Sequence, residues 1–355
     1  MRILVTGGAG FIGQAVVAEL VAGQVGLTDA VVVLDSLRPD VHRDGGTFAR
    51  QRLAALGVDL VIGDVRNSRV VKKALRGIDA VVHLAAKVGL GVGIGDMDDY
   101  VSSNDHGTAV LLRSLATSDV GRVIQASSMV VYGEGRYTCP EHGPTSPGPR
   151  TREALSHGRF EPPCPVCGAD LRPGLVDEDA AFDPRNTYAA TKVAQEYLGG
   201  IWARETGRSA ISLRLHNVYG PGMPRDTPYA GVASLFSSAL DRGESPRVFE
   251  DGGQRRDFVN VHDVASAFAT AVIAQIDQRA THVAYNVGSG TVSTIADLAR
   301  ALATSRQGPE PVMTGAFRLG DVRHITASSA RIREELGWQA TISLADGVSA
   351  EGIPG

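Results

Sequence analysis

The chain has 355 residues, of which 43% are hydrophobic and 21% charged, so it is long enough to bury a sizeable globular core. Its formal net charge of −4 provides no basic field for nucleic acid or for an anionic membrane, and we expect neither as a partner. The sequence contains no run of about 18 apolar residues, so it predicts no membrane-spanning helix. The first residues enter a strand pattern directly, without the features of a signal peptide, so we expect a cytoplasmic protein.

The first half of the chain alternates β-branched runs with helical patterns. Apolar segments predict buried strands at 2–7, 31–36, 59–64, 80–85 and 122–127, and helical periodicity fills intervening stretches such as 13–23 and 107–118. Continuous apolar strands that alternate with helices predict a parallel, doubly wound α/β sheet. The segment 209–220 is typical of a later strand of the same sheet, and 294–303 of a helix in the C-terminal part.

A glycine-rich turn joins the first predicted strand to the first predicted helix. In "TGGAGFIG", Gly8, Gly10 and Gly13 fit the pattern G-x-G-x-x-G, and Gly7, Gly10 and Gly13 fit G-x-x-G-x-x-G. Glycines at these positions let the backbone turn tightly and approach a pyrophosphate, whose charge is stabilised at the helix N-terminus. The strand-turn-helix context therefore predicts a dinucleotide site.

Two acidic residues follow the next two strands. Asp35 ends the second strand, where a carboxylate accepts both ribose hydroxyls of NAD and repels the 2′-phosphate of NADP, so we expect NAD. Asp64 follows the third strand and could hold the adenine amino group. Each of them could instead be a capping or turn residue. The small residues of 83–87 suit a strand end on which a cofactor lies flat.

Three further residues form a candidate catalytic set. Tyr188 and Lys192 are four residues apart on a predicted helix and share one face. A nearby ammonium and a cationic nicotinamide favour the phenolate and lower the pKa of such a tyrosine, which can then exchange a proton with a sugar hydroxyl. Ser128 ends a strand at the carboxyl edge of the sheet, where ligands bind, and can contact the same oxygen.

Seven motifs in this order resemble the extended short-chain dehydrogenase/reductase family, and within it the NAD-dependent nucleotide-sugar epimerases and dehydratases. They are "TGGAGFIG", "HLAA", "SSMVVYG", "YAATK", "HNVYGPG", "RRDFVNVHDV" and "YNVGSG". The resemblance implies Ser128, Tyr188 and Lys192 as the catalytic set, a tightly bound NAD, and a homodimer formed through helices at about 187–205 and 103–117. The residues that we expect at the cofactor are Gly7, Gly10, Phe11, Ile12, Gly13, Asp35, Ser36, Asp64, Val65, Leu84, Ala85, Ala86, Asn104, Ala126, Tyr188 and Lys192.

The residues after the serine narrow the reaction. By resemblance, 4,6-dehydratases carry an acid pair there, whereas this chain has Met129 and Val130, which cannot transfer protons. A 4-epimerase, which oxidises C4 of the sugar and reduces it from the other face, needs only the catalytic set and NAD. A 4-ketoreductase would use the same residues but exchange its cofactor at each turnover. A non-catalytic NAD-binding regulator is a third and more distant reading.

The resemblance also implies contacts for a nucleoside diphosphate sugar. Arg256 and Asn217 correspond to diphosphate ligands, Arg318 to a second phosphate clamp and Asp321 to a ribose ligand, while Phe249 could stack on the base. The motif run further resembles bacterial dTDP-L-rhamnose 4-epimerases, although position 215 is leucine, so dTDP- or UDP-hexoses, including dTDP-L-rhamnose and dTDP-6-deoxy-L-talose, are the expected substrates. The full set expected at the substrate is Val88, Ser128, Met129, Tyr188, Asn217, Val232, Phe249, Arg256, Arg318 and Asp321, with Ile325 beside Val88 and Met129 as a candidate lining for a sugar methyl group.

An insertion at 134–182 separates the serine from the tyrosine. It is dense in proline and glycine, has neither helical nor strand periodicity, and contains all three cysteines of the chain. Cys139 with His142 and Cys164 with Cys167 form two knuckles, and together they supply the closed tetrahedral Cys3His set that structural zinc prefers. A Cys164–Cys167 redox pair, a chance cluster, or His157 in place of His142 are the alternatives.

We therefore expect three parts in the chain. A Rossmann-type NAD-binding domain comprises 1–133 and about 183–220, and a zinc-stapled irregular insertion comprises 134–182. A smaller C-terminal α/β lobe for the nucleotide sugar comprises about 221–355, and some of its segments return to the first domain.

Overall fold

A parallel sheet of seven strands forms the centre of the protein. The computed structural model describes residues 1–23, 30–89, 94–224, 231–275 and 281–349. In spatial order its strands are His282–Val287, Ser209–Leu215, Arg122–Ser128, Ala80–His83, Arg2–Thr6, Ala30–Asp35 and Asp59–Ile62, and every neighbouring pair is parallel. The Rossmann-type doubly wound fold predicted from the alternating pattern is confirmed. Within the described ranges, no helix is long and apolar enough to cross a membrane.

The bounds of the elements agree with the predicted ones to within a few residues. The strands are β1 (Arg2–Thr6), β2 (Ala30–Asp35), β3 (Asp59–Ile62), β4 (Ala80–His83), β5 (Arg122–Ser128), β6 (Arg136–Cys139), β7 (Gly143–Pro144), β8 (Arg172–Gly174), β9 (Ser209–Leu215), β10 (Asn217–Tyr219), β11 (Arg247–Val248), β12 (Arg255–Arg256), β13 (Phe258–Asn260), β14 (His282–Val287), β15 (Ser293–Thr294) and β16 (Val312–Met313). The helices are α1 (Phe11–Ala22), α2 (Thr47–Ala55), α3 (Ser68–Ala74), α4 (Met97–Tyr100), α5 (Gly107–Ala116), α6 (Arg152–Ser156), α7 (Thr187–Thr206), α8 (Val232–Asp241), α9 (Val261–Ile273), α10 (Ile295–Ser305), α11 (Ala330–Leu336) and α12 (Leu344–Gly347). A π-helical turn, Val101–His106, joins α4 to α5, and 3₁₀ turns lie at Ile94–Asp96 and Met129–Tyr132.

Two apolar layers cover the sheet, one on each face. Side chains of α1 and α9 pack on one face, and side chains of α3, α5 and α7 pack on the other. Because both faces are buried, the central strands read as continuous apolar runs instead of alternating ones. Because the strands are parallel, the carboxyl ends of β1, β4, β5 and β9 meet at one edge of the sheet, where polar side chains remain accessible.

The C-terminal lobe has its own small core. Side chains from α8, α10 and α12 pack with those of β10, β11 and β13 into a separate apolar cluster. Three two-stranded pairs, β10-β13, β11-β16 and β12-β15, connect its segments. The strand β14 returns from this part of the chain to the edge of the central sheet.

The insertion is more ordered than its sequence predicts. β7, β6 and β8 form an antiparallel sheet, and α6 lies between β7 and β8 in the chain, with Thr151 as its N-cap. The strands are only two to four residues long, so their sequences cannot display a period. One buried cluster lies wholly within this segment and consists of Tyr137, Cys139, Cys164 and Leu171, whereas Val176 packs into a second cluster with residues outside it. Half of this core is thus made of cysteines.

Candidate functional site

A groove of about 400 Å³ runs across the carboxyl edge of the sheet. Its floor at one end is the glycine-rich turn, where Gly7 adopts φ +73° and a Cβ atom would lie 2.7 Å from the backbone of Ala85. Gly10 caps α1 with extended backbone and no side-chain hydrogen bond, so the first amides of the helix lack a side-chain acceptor. Such a helix start favours an anion such as a pyrophosphate.

Asp35 connects the end of β2 to this turn. Its carboxylate accepts hydrogen bonds from the backbone N–H of Ala9 at 3.0 Å and of Leu37 at 2.8 Å. Asp35 also lines the groove next to Ser36. Asp35 is therefore a turn residue, as one interpretation of the sequence allowed, and it also lies in the groove, as expected of a ribose ligand.

Asp64 lies further along the groove and is paired with an arginine. Arg66 donates to its carboxylate from Nε at 2.9 Å and from Nη2 at 2.6 Å, and this partner holds the pKa of Asp64 below its usual value. The N-cap of α3 is Asn67, whose side chain accepts from the amides of Arg69 and Val70. Asp64 is thus not the helix cap that the sequence left open.

The predicted catalytic residues converge at the other end of the groove. Ser128, at the end of β5, and Tyr188, from α7, both line this part of the groove. The ammonium of Lys192 donates to the carbonyl of Ala126 at 2.9 Å and lies 5.8 Å from the centre of the Tyr188 ring. The four-residue spacing on α7 therefore places Tyr188 and Lys192 on one face, as expected.

Burial dominates the titration of this set. It raises the pKa of Tyr188 to about 12, although the Ser128 hydroxyl works in the opposite direction. Burial also lowers the pKa of Lys192 to about 8, against the opposing fields of Glu196 and Asp105. The lowered tyrosine pKa expected from the sequence includes the charge of a bound nicotinamide, and it stays a prediction. In the chain without that charge, burial of the phenol acts the other way.

Most predicted ligand positions line the same groove. The predicted cofactor and substrate residues that line it are Gly7, Gly10, Phe11, Ile12, Gly13, Asp35, Ser36, Asp64, Val65, Leu84, Ala85, Ala86, Val88, Ala126, Ser128, Tyr188, Lys192, Asn217 and Val232. Six others lie outside it: Asn104, Met129, Phe249, Arg256, Arg318 and Asp321.

Asn104 and Met129 are placed differently from the expectation for clear reasons. Asn104 is fully buried, where its Oδ1 accepts from the backbone N–H of Lys87 at 2.7 Å and its amide donates to the hydroxyl of Thr191 at 2.9 Å. It positions the groove wall and does not line it. Met129 packs against an apolar cluster that includes Ile325, so Val88 alone of the three candidate methyl contacts lines the groove.

The other four positions form a separate cluster in the C-terminal lobe. The guanidinium of Arg318 lies 5.2 Å from the centre of the Phe249 ring. Arg256 donates to the backbone carbonyls of Val322 and Arg323 at 2.8 and 3.0 Å. Burial raises the pKa of Asp321, while Arg318 and Arg256 counteract that rise. The cluster thus combines cations and an aromatic ring, but it stands apart from the groove.

Four potential metal ligands meet in the insertion. One donor atom from each of Cys139, His142, Cys164 and Cys167 lies within 4.8 Å of the others. The Sγ of Cys139 is 3.4 Å from Nδ1 of His142 and 3.6 Å from Sγ of Cys167. His157 instead lies exposed, with Nδ1 at 2.8 Å from the carbonyl of Glu153, and is not part of this group.

The structure also brings to the groove residues that the sequence did not single out. Arg38, Lys87 and His216 line it, and neither ring nitrogen of His216 has a hydrogen-bond partner in the part of the chain that the structure describes. His216 belongs to the quoted motif "HNVYGPG", but only its neighbour Asn217 was assigned a role. A polar residue directly after a continuous buried strand was the signal available in the sequence.

Comparisons with known proteins agree with this geometry. Residues 3–156 and 164–288 match the NAD dependent epimerase/dehydratase family. A dTDP-L-rhamnose 4-epimerase from Burkholderia thailandensis is 32% identical over 351 residues, which cover 98% of this chain and 93% of that protein. The UDP-glucose 4-epimerase of Thermotoga maritima, solved with UDP-glucose, has a TM-score of 0.77 at 26% identity and covers 98% of this chain and 96% of its own. A dTDP-glucose 4,6-dehydratase from Streptomyces venezuelae, solved with NAD, has a TM-score of 0.77 at 27% identity, with coverages of 98% and 95%.

Proposed function

Because the chain belongs to the NAD dependent epimerase/dehydratase family, as its seven ordered motifs predict, we propose that it is a nucleotide-sugar 4-epimerase. The observation that carries this proposal is the convergence of Ser128, Tyr188 and Lys192 at the end of a groove whose other end is a glycine-rich helix start. Met129 and Val130 follow the serine and supply no acid for the elimination of water. The reaction that remains is the oxidation and reduction of a single carbinol carbon.

The groove residues fit NAD as the resident cofactor. Gly7 and Gly10 line the groove at the start of α1, where a pyrophosphate would lie, and Asp35 stands where the ribose hydroxyls would meet a carboxylate. Bound NAD would accept a hydride from C4 and return it, and its positive ring would favour the phenolate of Tyr188.

The protein's own residues move one proton in each half of the reaction. Tyr188 takes the proton of the C4 hydroxyl as this carbon is oxidised, and returns it when the ketone is reduced from its other face. Ser128 donates a hydrogen bond to the same oxygen and holds it near the phenol. Lys192 is held by the carbonyl of Ala126, and its ammonium stabilises the phenolate.

We propose a dTDP- or UDP-hexose as substrate, with dTDP-L-rhamnose first. The relative from Burkholderia thailandensis supports this choice. The arginines of the lobe support a diphosphate, because a planar guanidinium suits phosphate oxygens. We propose Arg256, Arg318, Phe249 and Asp321 as contacts of the nucleotide. Asn217, which lines the groove, is the proposed diphosphate contact on that side.

The test is a panel of dTDP- and UDP-sugars followed by proton NMR. We expect inversion at C4 in protein that carries NAD from purification, with no cofactor added. A strict requirement for added NADH, with net reduction of a ketosugar, would establish the 4-ketoreductase instead. Full biological effect in a Tyr188→Phe protein would point to the NAD-binding regulator.

We also propose a structural zinc ion held by Cys139, His142, Cys164 and Cys167. Zinc binds thiolates at about 2.3 Å and imidazole at about 2.0–2.1 Å, so tetrahedral ligands stand about 3.5–3.8 Å apart. Three of the six separations between these donor atoms are 3.4, 3.6 and 3.8 Å, close to this spacing, and all six are within 4.8 Å. Four protein ligands leave no open position, so the ion would stabilise the fold and take no part in the reaction. Elemental analysis of unchelated protein should find one zinc per chain.

A homodimer through α5, α7 and the segment before α5 is the proposed assembly. Tyr197 and Ile201 on α7 are 60% and 45% exposed and four residues apart, and Met97 and Val101 repeat this arrangement at 43% and 44%. Exposed apolar pairs of this kind suit packing between helices. Sedimentation equilibrium should give twice the chain mass, and Ile201→Asp should shift the species to the monomer.

A further inference from the structure

His216 occupies a point where the sheet edge, the catalytic serine and the lobe meet. It directly follows β9, whose last residue, Leu215, pairs with Ser128 in the parallel ladder. Its backbone N–H donates to the carbonyl of Val287 at 3.0 Å. The backbone is thus held on one side by β14 and lies beside the end of β5 on the other.

The side chain of His216 is buried, yet among the described residues it has no hydrogen-bond partner. The residue is 4% exposed and lines the groove, and neither Nδ1 nor Nε2 forms a hydrogen bond with that part of the chain. The neighbouring amide of Asn286 is already engaged by the hydroxyl of Tyr132 and by the carbonyls of Val176 and Ser328. Buried polar groups nearly always have a partner. Several described residues lack one at a single side-chain atom, whereas His216 lacks one at both ring nitrogens and also lines the groove.

The imidazole is neutral at physiological pH. Burial, helped by the positive charge of Arg256, lowers the pKa of His216 to about 3, although the nearby side chain of Asn286 acts in the opposite direction. A neutral imidazole offers one N–H donor and one nitrogen acceptor. A sugar hydroxyl, which both donates and accepts, complements either nitrogen.

We propose that His216 binds the hexose directly, through a hydroxyl other than the one at the reacting carbon. The reacting oxygen is already served by Ser128 and Tyr188, whereas the nitrogens of His216 are unassigned in the same groove. This inference rests on the proposed function, since it presumes that a nucleotide sugar occupies the groove. It makes His216 a specificity-determining residue that recognises the sugar, and not the nucleotide.

Differential binding tests this role. The dissociation constants of dTDP-L-rhamnose, dTDP-glucose and UDP-glucose are measured by calorimetry beside those of bare dTDP and UDP, for the wild type, His216→Phe and His216→Asn. We expect His216→Phe to weaken the tightest nucleotide sugar roughly 10- to 100-fold and to leave the corresponding nucleoside diphosphate within twofold, because only a sugar hydrogen bond is lost. His216→Asn keeps a donor and an acceptor and should recover most of the loss.

His262→Phe is the matched control, because His262 is exposed on α9. It should bind every compound like the wild type. Equal weakening of sugar and bare nucleotide, loss of bound NAD, or unchanged binding in both His216 variants would each overturn the inference, as would a wild type that binds nucleotide sugars no tighter than bare nucleotides. A wild type that binds as expected but never inverts C4 would refute only the proposed epimerase.

Discussion

The groove at the sheet edge and the insertion at 134–182 achieve order in different ways. Groove residues such as Ser128 and Asp35 stand at the ends of strands that are buried on both faces. The insertion has a buried cluster of four residues, two of which are cysteines of the proposed zinc site. A catalytic site can rely on the large core beneath it, whereas a short segment with few apolar residues usually needs a staple, which the proposed zinc ion would supply.

The two regions differ again in how they contact the C-terminal lobe. The insertion is linked to it by ion pairs: Arg150 donates to Glu250 at 2.9 Å and to the carbonyl of Asp321 at 2.7 Å. Glu161 accepts from Arg323 at 2.7 Å and contacts His324 at 2.7 Å. These contacts hold the segment that carries Arg318 and Asp321, so we expect the insertion to affect nucleotide binding and the groove to perform the chemistry.

The largest effect should follow from Tyr188→Phe. Removal of the phenol oxygen eliminates the proton acceptor, so kcat should fall roughly 10²- to 10⁴-fold. Bound NAD, measured by absorbance after denaturation, should be unchanged. A residual rate within tenfold of the wild type would show that the reaction does not depend on Tyr188 at the sheet edge.

Loss of the metal should come second. His142→Asn removes one of the four ligands, and zinc content should fall well below one per chain, with nucleoside diphosphate binding about 30- to 100-fold weaker because the insertion no longer holds its ion pairs. His157→Asn alters the exposed histidine of the same segment and should retain both properties. Equal zinc content in the two variants would refute the metal site.

A single ion-pair contact should matter less than the whole insertion. Arg150→Met leaves Glu250 paired with Arg323 but releases the carbonyl of Asp321, so KM should rise about tenfold while kcat is retained. Arg159→Met, an exposed arginine of the insertion, serves as the control in steady-state assays. A fall in kcat without a rise in KM would instead place the insertion at the reacting centre.

The smallest effect concerns the burial of Lys192. Its pKa is lowered from 10.5 to about 8 in the folded protein, so between these values the unfolded chain binds more protons and folding stability rises with pH. The free energy of unfolding of the wild type relative to Lys192→Met should therefore increase by about 1 kcal/mol from about pH 8.5 to 9.5. Urea titrations at the two pH values measure this, and the exposed Lys73→Met should show no such trend.

Local sequence was sufficient wherever geometry depends on neighbours in the chain. The glycine turn is recognisable because Gly7 requires a positive φ and a close approach to Ala85. Tyr188 and Lys192 share a face because a helix repeats every 3.6 residues. The knuckles of the insertion could be found for the same reason, since each pair of ligands is only three residues apart.

Tertiary packing alone decided the residues whose roles depend on distant partners. Asn104 proved to hold Lys87 and Thr191 and not to line the groove, because α7 packs beside the π-helical turn. Arg150 meets Asp321 across 171 positions of the chain. The ring nitrogens of His216 have no hydrogen-bond partner within the described ranges, because the side chain of Asn286 on the neighbouring β14 is already engaged by other groups. Sequence thus determined the elements and their local chemistry, while the three-dimensional packing of remote segments decided which polar groups remain available for a ligand.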